Sequence, residues 1–324
     1  MTKLTKVDSR VLIVYHFYEK DQSYIDNFSH FIRFAYRSDL DYLIVVAGHH
    51  TIELPQASNI IYLFSANRNF DFGGYALTIN TFQIDKAYEY YVFVNSSVRG
   101  PFLPTYCSKN WVDNLIYHFD RDVGIVGTAI SITPLHHAIA KLYCEKYGYS
   151  DRKILSHVQS TCYVLPQAVL GILIASGFYE ASHDLSKNET VRDYEIRLSQ
   201  IILDHDLNLK CLLPEYNNYD YRSLSHDINS FSREGDSGFD GTYFGRTVHP
   251  YETMFIKTSR NTFSDDYLCQ LANSMAFQFP VNRNISSVNT IERYSQHFEN
   301  IVRDYKNFKR SHWDFWKKVF QLKV

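Results

Sequence analysis

Apolar runs, most of them separated by helix-length segments, predict an α/β fold built on a mostly parallel, doubly wound sheet. Two observations carry that expectation. Short buried-type runs recur at 11–15, 42–47, 60–64, 91–94 and 123–127. Two of these strands also deliver small polar residues and glycines to their carboxyl ends, as Asn67-Arg-Asn-Phe-Asp-Phe-Gly-Gly74 and Asn95-Ser-Ser-Val-Arg-Gly-Pro101. In open α/β sheets that edge is where ligands bind. The chemistry of the two segments points to a nucleotide or phosphate held by backbone and small side chains.

Val11 to Tyr15 reads as a strand with a polar continuation, His16 to Asp21. Between Tyr24 and Tyr36, Ile25, Phe28, Ile32 and Ala35 recur on one face at helical spacing. Tyr42 to Ala47 is a second strand, closed by Gly48-His49-His50, and Ile60 to Phe64 is a third. The glycine turn and a helix-length stretch then lead to the fourth, Tyr91 to Val94. An aromatic helix containing Trp111 and Leu115 precedes the fifth, Val123 to Gly127.

Beyond about residue 130 the periodicity blurs. Thr161 to Leu165 reads as a strand, Ala168 to Ser176 and Arg192 to Asp204 as helices, and Leu209 to Leu213 as a late strand. The Ser-, Gly- and Asp-rich stretch 229–243 reads as a long loop, of a kind that often serves as an active-site lid. The C-terminal part has a different composition and a helical pattern. The expected division is a sheet domain over 1–255 and a helical extension over 256–324.

With 324 residues the chain can bury a large core. Its net charge of −2 argues against a dedicated nucleic-acid binder. Five widely spaced cysteines with no CxxC pair suit reduced thiols in a cytosolic protein. No signal peptide and no apolar run long enough to span a bilayer is visible, so the expected location is cytoplasmic, with membrane contact only peripheral. Tyrosine supplies 26 residues. Core packing is the preferred explanation, and a sugar-stacking cleft the alternative.

The order of these elements, the two polar segments, His157-Val-Gln-Ser160 before a strand, and Tyr194-Glu195 opening a helix with Ser199 together resemble GT-A glycosyltransferases. Within that fold they are similar to bacterial polysaccharide-assembly enzymes of the rhamnan-synthesis type. The resemblance covers roughly residues 10–255. It implies a Rossmann-like sheet and a nucleotide-sugar-dependent enzyme of the hexosyltransferase class.

The resemblance further implies a donor site made of three segments. The tip of the first strand, Tyr15 to Tyr18, would lie beside the nucleobase, with Asn69, Asp71 and Gly73 near the base or ribose. Asn95, Ser96 and Ser97 stand where such enzymes carry an Asp-x-Asp motif, whose carboxylates bind Mn²⁺ or Mg²⁺. No carboxylate is present here, so the expectation is that no metal is required, or that Mn²⁺ or Mg²⁺ is held weakly. A departing diphosphate still needs its charge met. Arg99 and Arg246 are the candidates, because guanidinium binds phosphate bidentately. His249 points the other way, since a late histidine completes the metal shell in several members of this fold.

An inverting enzyme also needs a general base for the acceptor hydroxyl. Glu195 is the candidate, and Asp193 a competitor that the sequence does not separate from it. His157 and Gln159 are expected to contact the acceptor or the sugar. The adjacent pairs His49-His50 and His136-His137 have poor spacing for a metal.

Near the C-terminus, Phe298, Ile301, Val302, Tyr305, Phe308, Phe315, Trp316, Val319 and Phe320 recur mostly at three- and four-residue steps, with lysines and arginines between them. Such a basic, aromatic amphipathic helix can lie on an anionic membrane surface or pack on the catalytic domain. The expected activity is transfer of a sugar from a nucleotide-sugar donor to a surface polysaccharide or lipid-linked glycan acceptor, at the inner face of the membrane. The rival is a non-catalytic glycan- or nucleotide-sugar-binding module, kept open by the missing Asp-x-Asp. A Rossmann dehydrogenase is disfavoured, since no GxGxxG follows the first strand.

Overall fold

The computed structural model describes residues 10–82, 88–149, 152–180 and 183–278. The chain runs through β1 (Val11–Tyr18), α1 (Gln22–Ala35), β2 (Asp41–Ala47), β3 (Ile60–Ser65), α2 (Phe70–Phe82), β4 (Tyr90–Asn95) and the two-residue β5 (Val98–Arg99). There follow α3 (Trp111–Ile116), β6 (Val123–Gly127), β7 (Ile130–Pro134), α4 (Ala138–Tyr147), β8 (Ile154–Val158), β9 (Cys162–Pro166) and α5 (Gln167–Ala175). α6 (Lys187–Thr190) passes through a π-helical segment, Val191–Ile196, into α7 (Arg197–Asp204). β10 (Asn208–Cys211), α8 (Pro250–Thr253), β11 (Ile256–Lys257) and α9 (Asp265–Gln278) complete the described chain.

Seven strands form one sheet in the order β10-β6-β9-β4-β1-β2-β3. Its strands are parallel except β9, which runs antiparallel to both β4 and β6. The fold class is the expected α/β one: a Rossmann-like, mostly parallel sheet flanked by helices. The strand order reverses between β1 and β4, because β2 and β3 build outward on one side of β1 and β4 returns to the other. The carboxyl ends of β1 and β4 therefore flank a topological switch point, the usual ligand crevice of such sheets.

Alternation along β1 shows how the sheet divides the core. Leu12 and Val14 enter the layer shared with Phe72, Leu170 and Leu198 of α2, α5 and α7. Ile13, Tyr15 and Phe17 enter the other, with Phe28, Phe31 and Trp111 of α1 and α3. Rings such as Tyr42, Tyr75, Tyr91 and Tyr163 are fully buried, so much of the tyrosine content packs the core. Each large side chain buried this way stabilises by about 1.5–3 kcal/mol. α1 starts cleanly because the Asp21 carboxylate accepts from the Ser23 and Tyr24 amides.

Local differences from the sequence reading bear on the site. α2 begins at Phe70, inside what reads as a turn, with Asn69 and Phe70 at φ of 58° and 56°. A Cβ on Gly73 would stand 1.8 Å from the Arg68 carbonyl oxygen, and one on Gly74 would stand 2.4 Å from the His16 ring. These glycines seat the first turn of α2 against β1. The blurred stretch contains β7 and β8, an antiparallel pair bracketing α4. Both strands are largely buried yet carry Ser131, Thr133, Ser156 and His157 among their apolar residues, so neither stands out as an apolar run.

The 229–243 stretch is ordered. Asn229 is fully buried, donating to the Tyr216 hydroxyl and the Thr242 carbonyl and accepting from the Phe231 and Phe244 amides. Past residue 255, β11 pairs antiparallel with β5, and Leu268 and Met275 of α9 enter the layer under α1. Residues on both sides of the expected 255 division thus share one small sheet.

Cys144, Cys162, Cys211 and Cys269 form no disulfide. The expected amphipathic helix around 298–320 lies outside the described residues. Among the described residues, no helix is long and apolar enough to cross a membrane.

Candidate active site

The tips of β1 and β4 are joined by small polar side chains. The Asn95 amide donates to Asp71 at 2.8 Å, and its carbonyl oxygen accepts from the Ser97 amide at 3.1 Å and hydroxyl at 2.6 Å. Asn95 thereby forms a local turn and ties it to α2. The Ser96 hydroxyl accepts from the Tyr18 amide at 3.0 Å and donates to the Tyr18 carbonyl at 3.2 Å, closing β4 onto β1. Asp71 is half-buried in the first turn of α2. Burial raises its pKa, and the Asn95 hydrogen bond opposes that rise.

A cavity of about 340 Å³ opens beside this cluster. Ser131 of β7 and His157 of β8, paired in register, contribute to its lining, together with Glu195, Asp236, Lys257 and Arg260. The Gln159 amide bridges the Ser131 hydroxyl at 3.1 Å and Asp236 at 2.8 Å. His157 is 7% exposed, and its Nδ1 has no hydrogen-bond partner. Burial lowers its pKa to about 4, leaving the ring neutral at pH 7. The structure thus brings together Glu195, His157 and Gln159 of the expected residues, with Asp71 and Asn95 next to them.

Glu195 is the charged group most shaped by this setting. Burial raises its pKa, and the nearby Asp71 charge adds to the rise. Lys257, the Ser160 hydroxyl and Lys187 pull the other way. Lys257 also acts on Asp71. Asp71, Glu195 and Lys257 therefore form one electrostatic cluster drawn from α2, the π segment and β11. A carboxylate with a raised pKa in a cleft is suited to proton transfer.

Asp193 does different work. It accepts from Lys146 at 2.9 Å, from the Tyr147 hydroxyl at 2.9 Å, and from Arg192 at 2.8 and 2.7 Å. Although burial acts in the opposite direction, these donors bring its pKa down to about 2. Its lone pairs are spent on α4 and its own segment, so of the two candidates only Glu195 lines the cavity. Behind it, the Ser199 hydroxyl accepts from the Val158 amide at 2.9 Å, and Gln200 donates to the Ser156 carbonyl at 2.7 Å. Both bonds fasten α7 to β8.

Several expected residues are placed elsewhere. Tyr15 is fully buried against Phe28 and Phe31, because its parity on β1 turns it toward α1. Asn69 holds the neighbouring loop, donating to the His183 carbonyl and accepting from the Leu185 amide. Gly73 meets a packing need. Arg99 is 1% exposed and donates to Asn27 and Asp265, both at 2.9 Å, fastening β5 to α1 and α9. Arg246 is taken by Glu252 at 2.7 and 2.6 Å and lies over the Tyr243 ring. Neither arginine faces the cavity. Lys257, Ser160 and Asp236 are the site residues that sequence reasoning missed. A lysine three residues before Arg260, in a short segment after the long loop, was the available signal.

The residues expected around a divalent metal do not fit one. Asn95 and Ser97 offer neutral oxygens already engaged with each other, and Ser96 is spent on Tyr18. His249 caps α8: its Nδ1 accepts from the Tyr251 amide at 3.2 Å, and its Nε2 lies 2.7 Å from the Tyr267 hydroxyl. Among the described residues, no group of three or more His, Cys, Asp or Glu is arranged to hold a metal ion. Lys257 already supplies a positive charge to the Asp71–Glu195 pair.

No protein-family model matches the chain, and no curated protein matches it. Solved structures do. A mannosyltransferase from Pyrobaculum calidifontis, PcManGT, in complex with GDP-Man and Mn²⁺, is similar at 11% identity with a TM-score of 0.37, over 62% of this chain and 54% of that one. The glycosyltransferase GlyE of Streptococcus pneumoniae is similar at 8% identity and 0.32, over 65% of this chain and 46% of that one. The galactosyltransferase LgtC, solved with donor and acceptor sugar analogues, is similar at 11% identity and 0.37, over 81% of this chain and 95% of that one. The chain spans about half the length of the first two. With every score below 0.5, the function is read from the site itself.

Proposed function

We propose that the protein is a nucleotide-sugar-dependent glycosyltransferase acting by direct displacement with inversion. The observation that carries this is Glu195: a carboxylate of raised pKa in a cavity, electrostatically coupled to Asp71 and Lys257 beside the β1/β4 switch point. The donor lies across the strand tips at Tyr18, Asp71, Asn95, Ser96 and Ser97, and the acceptor enters the cavity over His157 and Gln159.

The acceptor hydroxyl gives its proton to Glu195 while its oxygen bonds to the anomeric carbon. The anomeric C–O bond to the diphosphate breaks on the opposite face, and the nucleoside diphosphate leaves with the electron pair. Lys257 meets part of the developing charge, in place of Arg99 and Arg246. Surface polysaccharide or a lipid-linked glycan remains the acceptor class we favour, with the tail pattern at 298–320 as its route to the inner membrane face.

Thermal denaturation with UDP, GDP, dTDP and CMP, each with EDTA and with Mn²⁺, tests donor binding. A ligand at a hundred times its dissociation constant adds about 2.7 kcal/mol. One nucleotide should shift the melt. Slow hydrolysis of the matching nucleotide sugar should then vanish in Glu195→Gln while nucleotide affinity holds. The carboxylate-free Asn95–Ser97 turn favours a second reading, a nucleotide-sugar-binding module. Binding without transfer or hydrolysis of any donor would support it.

A further inference from the structure

The cavity beside Glu195 carries more positive charge than a neutral sugar calls for. Lys187, Arg233, Lys257 and Arg260 line it, against Glu195, Glu234 and Asp236. Asp236 is committed to Arg260 and Gln159, and Glu234 lies at the rim with its carboxylate 3.2 Å from the His137 ring. Lys257 serves the Asp71–Glu195 pair. Among the described residues, Arg233 and Lys187 have no ion-pair partner.

Arg233 is exposed at the rim, with its backbone held in a tight turn. Its guanidinium lies 4.6 Å from the centroid of Phe239, whose ring Arg260 also covers at 4.7 Å. Its backbone closes a tight bridge with Asp236, at 2.9 and 3.0 Å. Gly235 in that bridge has φ +88°, and a Cβ there would strike the Ile132 carbonyl at 2.1 Å, so the turn is pressed onto β7. A guanidinium held at a cavity mouth in this way can bind two oxygens of a carboxylate or phosphate side by side.

We propose, resting on the transfer reaction above, that the acceptor is acidic: a glycan bearing a carboxylate or a phosphate that Arg233 binds, with Lys187 adding charge.

The test titrates the full chain with glucose, glucuronic acid and glucose 6-phosphate, followed by NMR, without nucleotide and with the nucleotide that shifts the melt. At least one charged sugar should bind about tenfold more tightly than glucose, and which one distinguishes carboxylate from phosphate. Arg233→Gln should bring it to the level of glucose, Arg233→Lys should keep part of the gain, and Arg246→Gln should change nothing. The preference should also weaken with salt. Equal binding of all three sugars, no binding by any, or an unchanged Arg233→Gln would overturn the proposal. So would displacement of the charged sugar by nucleotide, which would assign the anion site to the donor. Failure of the transfer reading shows separately, as no nucleotide binding or no loss of turnover in Glu195→Gln.

Discussion

Asp193 and Glu195 stand two residues apart on one π-helical segment and serve different surroundings. Asp193 is bound by Lys146, Tyr147 and Arg192, while Glu195 lines the cavity. π turns are frequent at functional sites because they redirect side chains that a regular helix would space differently. Here one carboxylate is held strongly acidic and its neighbour is made a better base.

That division predicts opposite mutant behaviour. Glu195→Gln should lower transfer about 10²–10⁴-fold, the usual contribution of a general base, with melting temperature and nucleotide affinity nearly unchanged. Asp193→Ala should lower stability by about 1–3 kcal/mol by stranding its donors, leaving nucleotide affinity intact. Steady-state kinetics and urea unfolding separate the two. Equal losses of turnover without a stability change in Asp193→Ala would contradict the assignment.

The pH profile of transfer should show the cluster. Glu195 must be ionised to accept a proton, and its pKa is raised, so the acid limb of kcat/KM should lie above the ordinary carboxylate range. Asp71→Asn removes a charge that raises that pKa, and the limb should move to lower pH. Lys257→Met removes one that lowers it, and the limb should move to higher pH. Shifts in the same direction would break the proposed coupling.

Stability should respond to pH with the opposite sign at Asp193. Its folded pKa of about 2 lies below the ordinary 3.8, so its contribution is present above about pH 4 and lost as pH falls through 2. Glu195 and Asp71, with raised pKa values, lose stabilisation as pH rises through theirs. The gap between the urea midpoints of wild type and Asp193→Asn should be full at pH 7, narrower at pH 3, and closed only below about pH 2.

Gly73→Ala tests whether that glycine serves packing. With backbone oxygen 1.8 Å from the new Cβ, α2 must move, at a cost of about 1–3 kcal/mol. Because Asp71 rides on the same turn, donor turnover should fall with stability, as paired kinetics and melting would show.

Arg99→Met should destabilise by about 1–3 kcal/mol, since it strands the buried Asn27 oxygen while the exposed Asp265 returns to water. Arg246→Gln should cost far less. Neither should alter nucleotide dissociation constants, measured by calorimetry on the folded fraction. A tenfold weakening in either would return that arginine to the phosphate site.

Much of the fold was legible along the chain. β1, β2 and β4 are buried from both sides, so they appear as apolar runs whatever their partners, and glycines and small polar residues mark where two of the strands end. Glu195, His157 and Gln159 could be named from local pattern and resemblance, and the cavity gathers them. Tertiary structure decided which charges are free. Arg99 is held by Asp265 and Arg246 by Glu252, while Lys257 is brought by β11 to Asp71 and Glu195. Parity on β1 turned Tyr15 into the core, and the π turn separated Asp193 from Glu195. Burial pattern is a property of neighbouring residues, whereas the fate of a charge depends on partners that only the folded chain brings within a few ångströms.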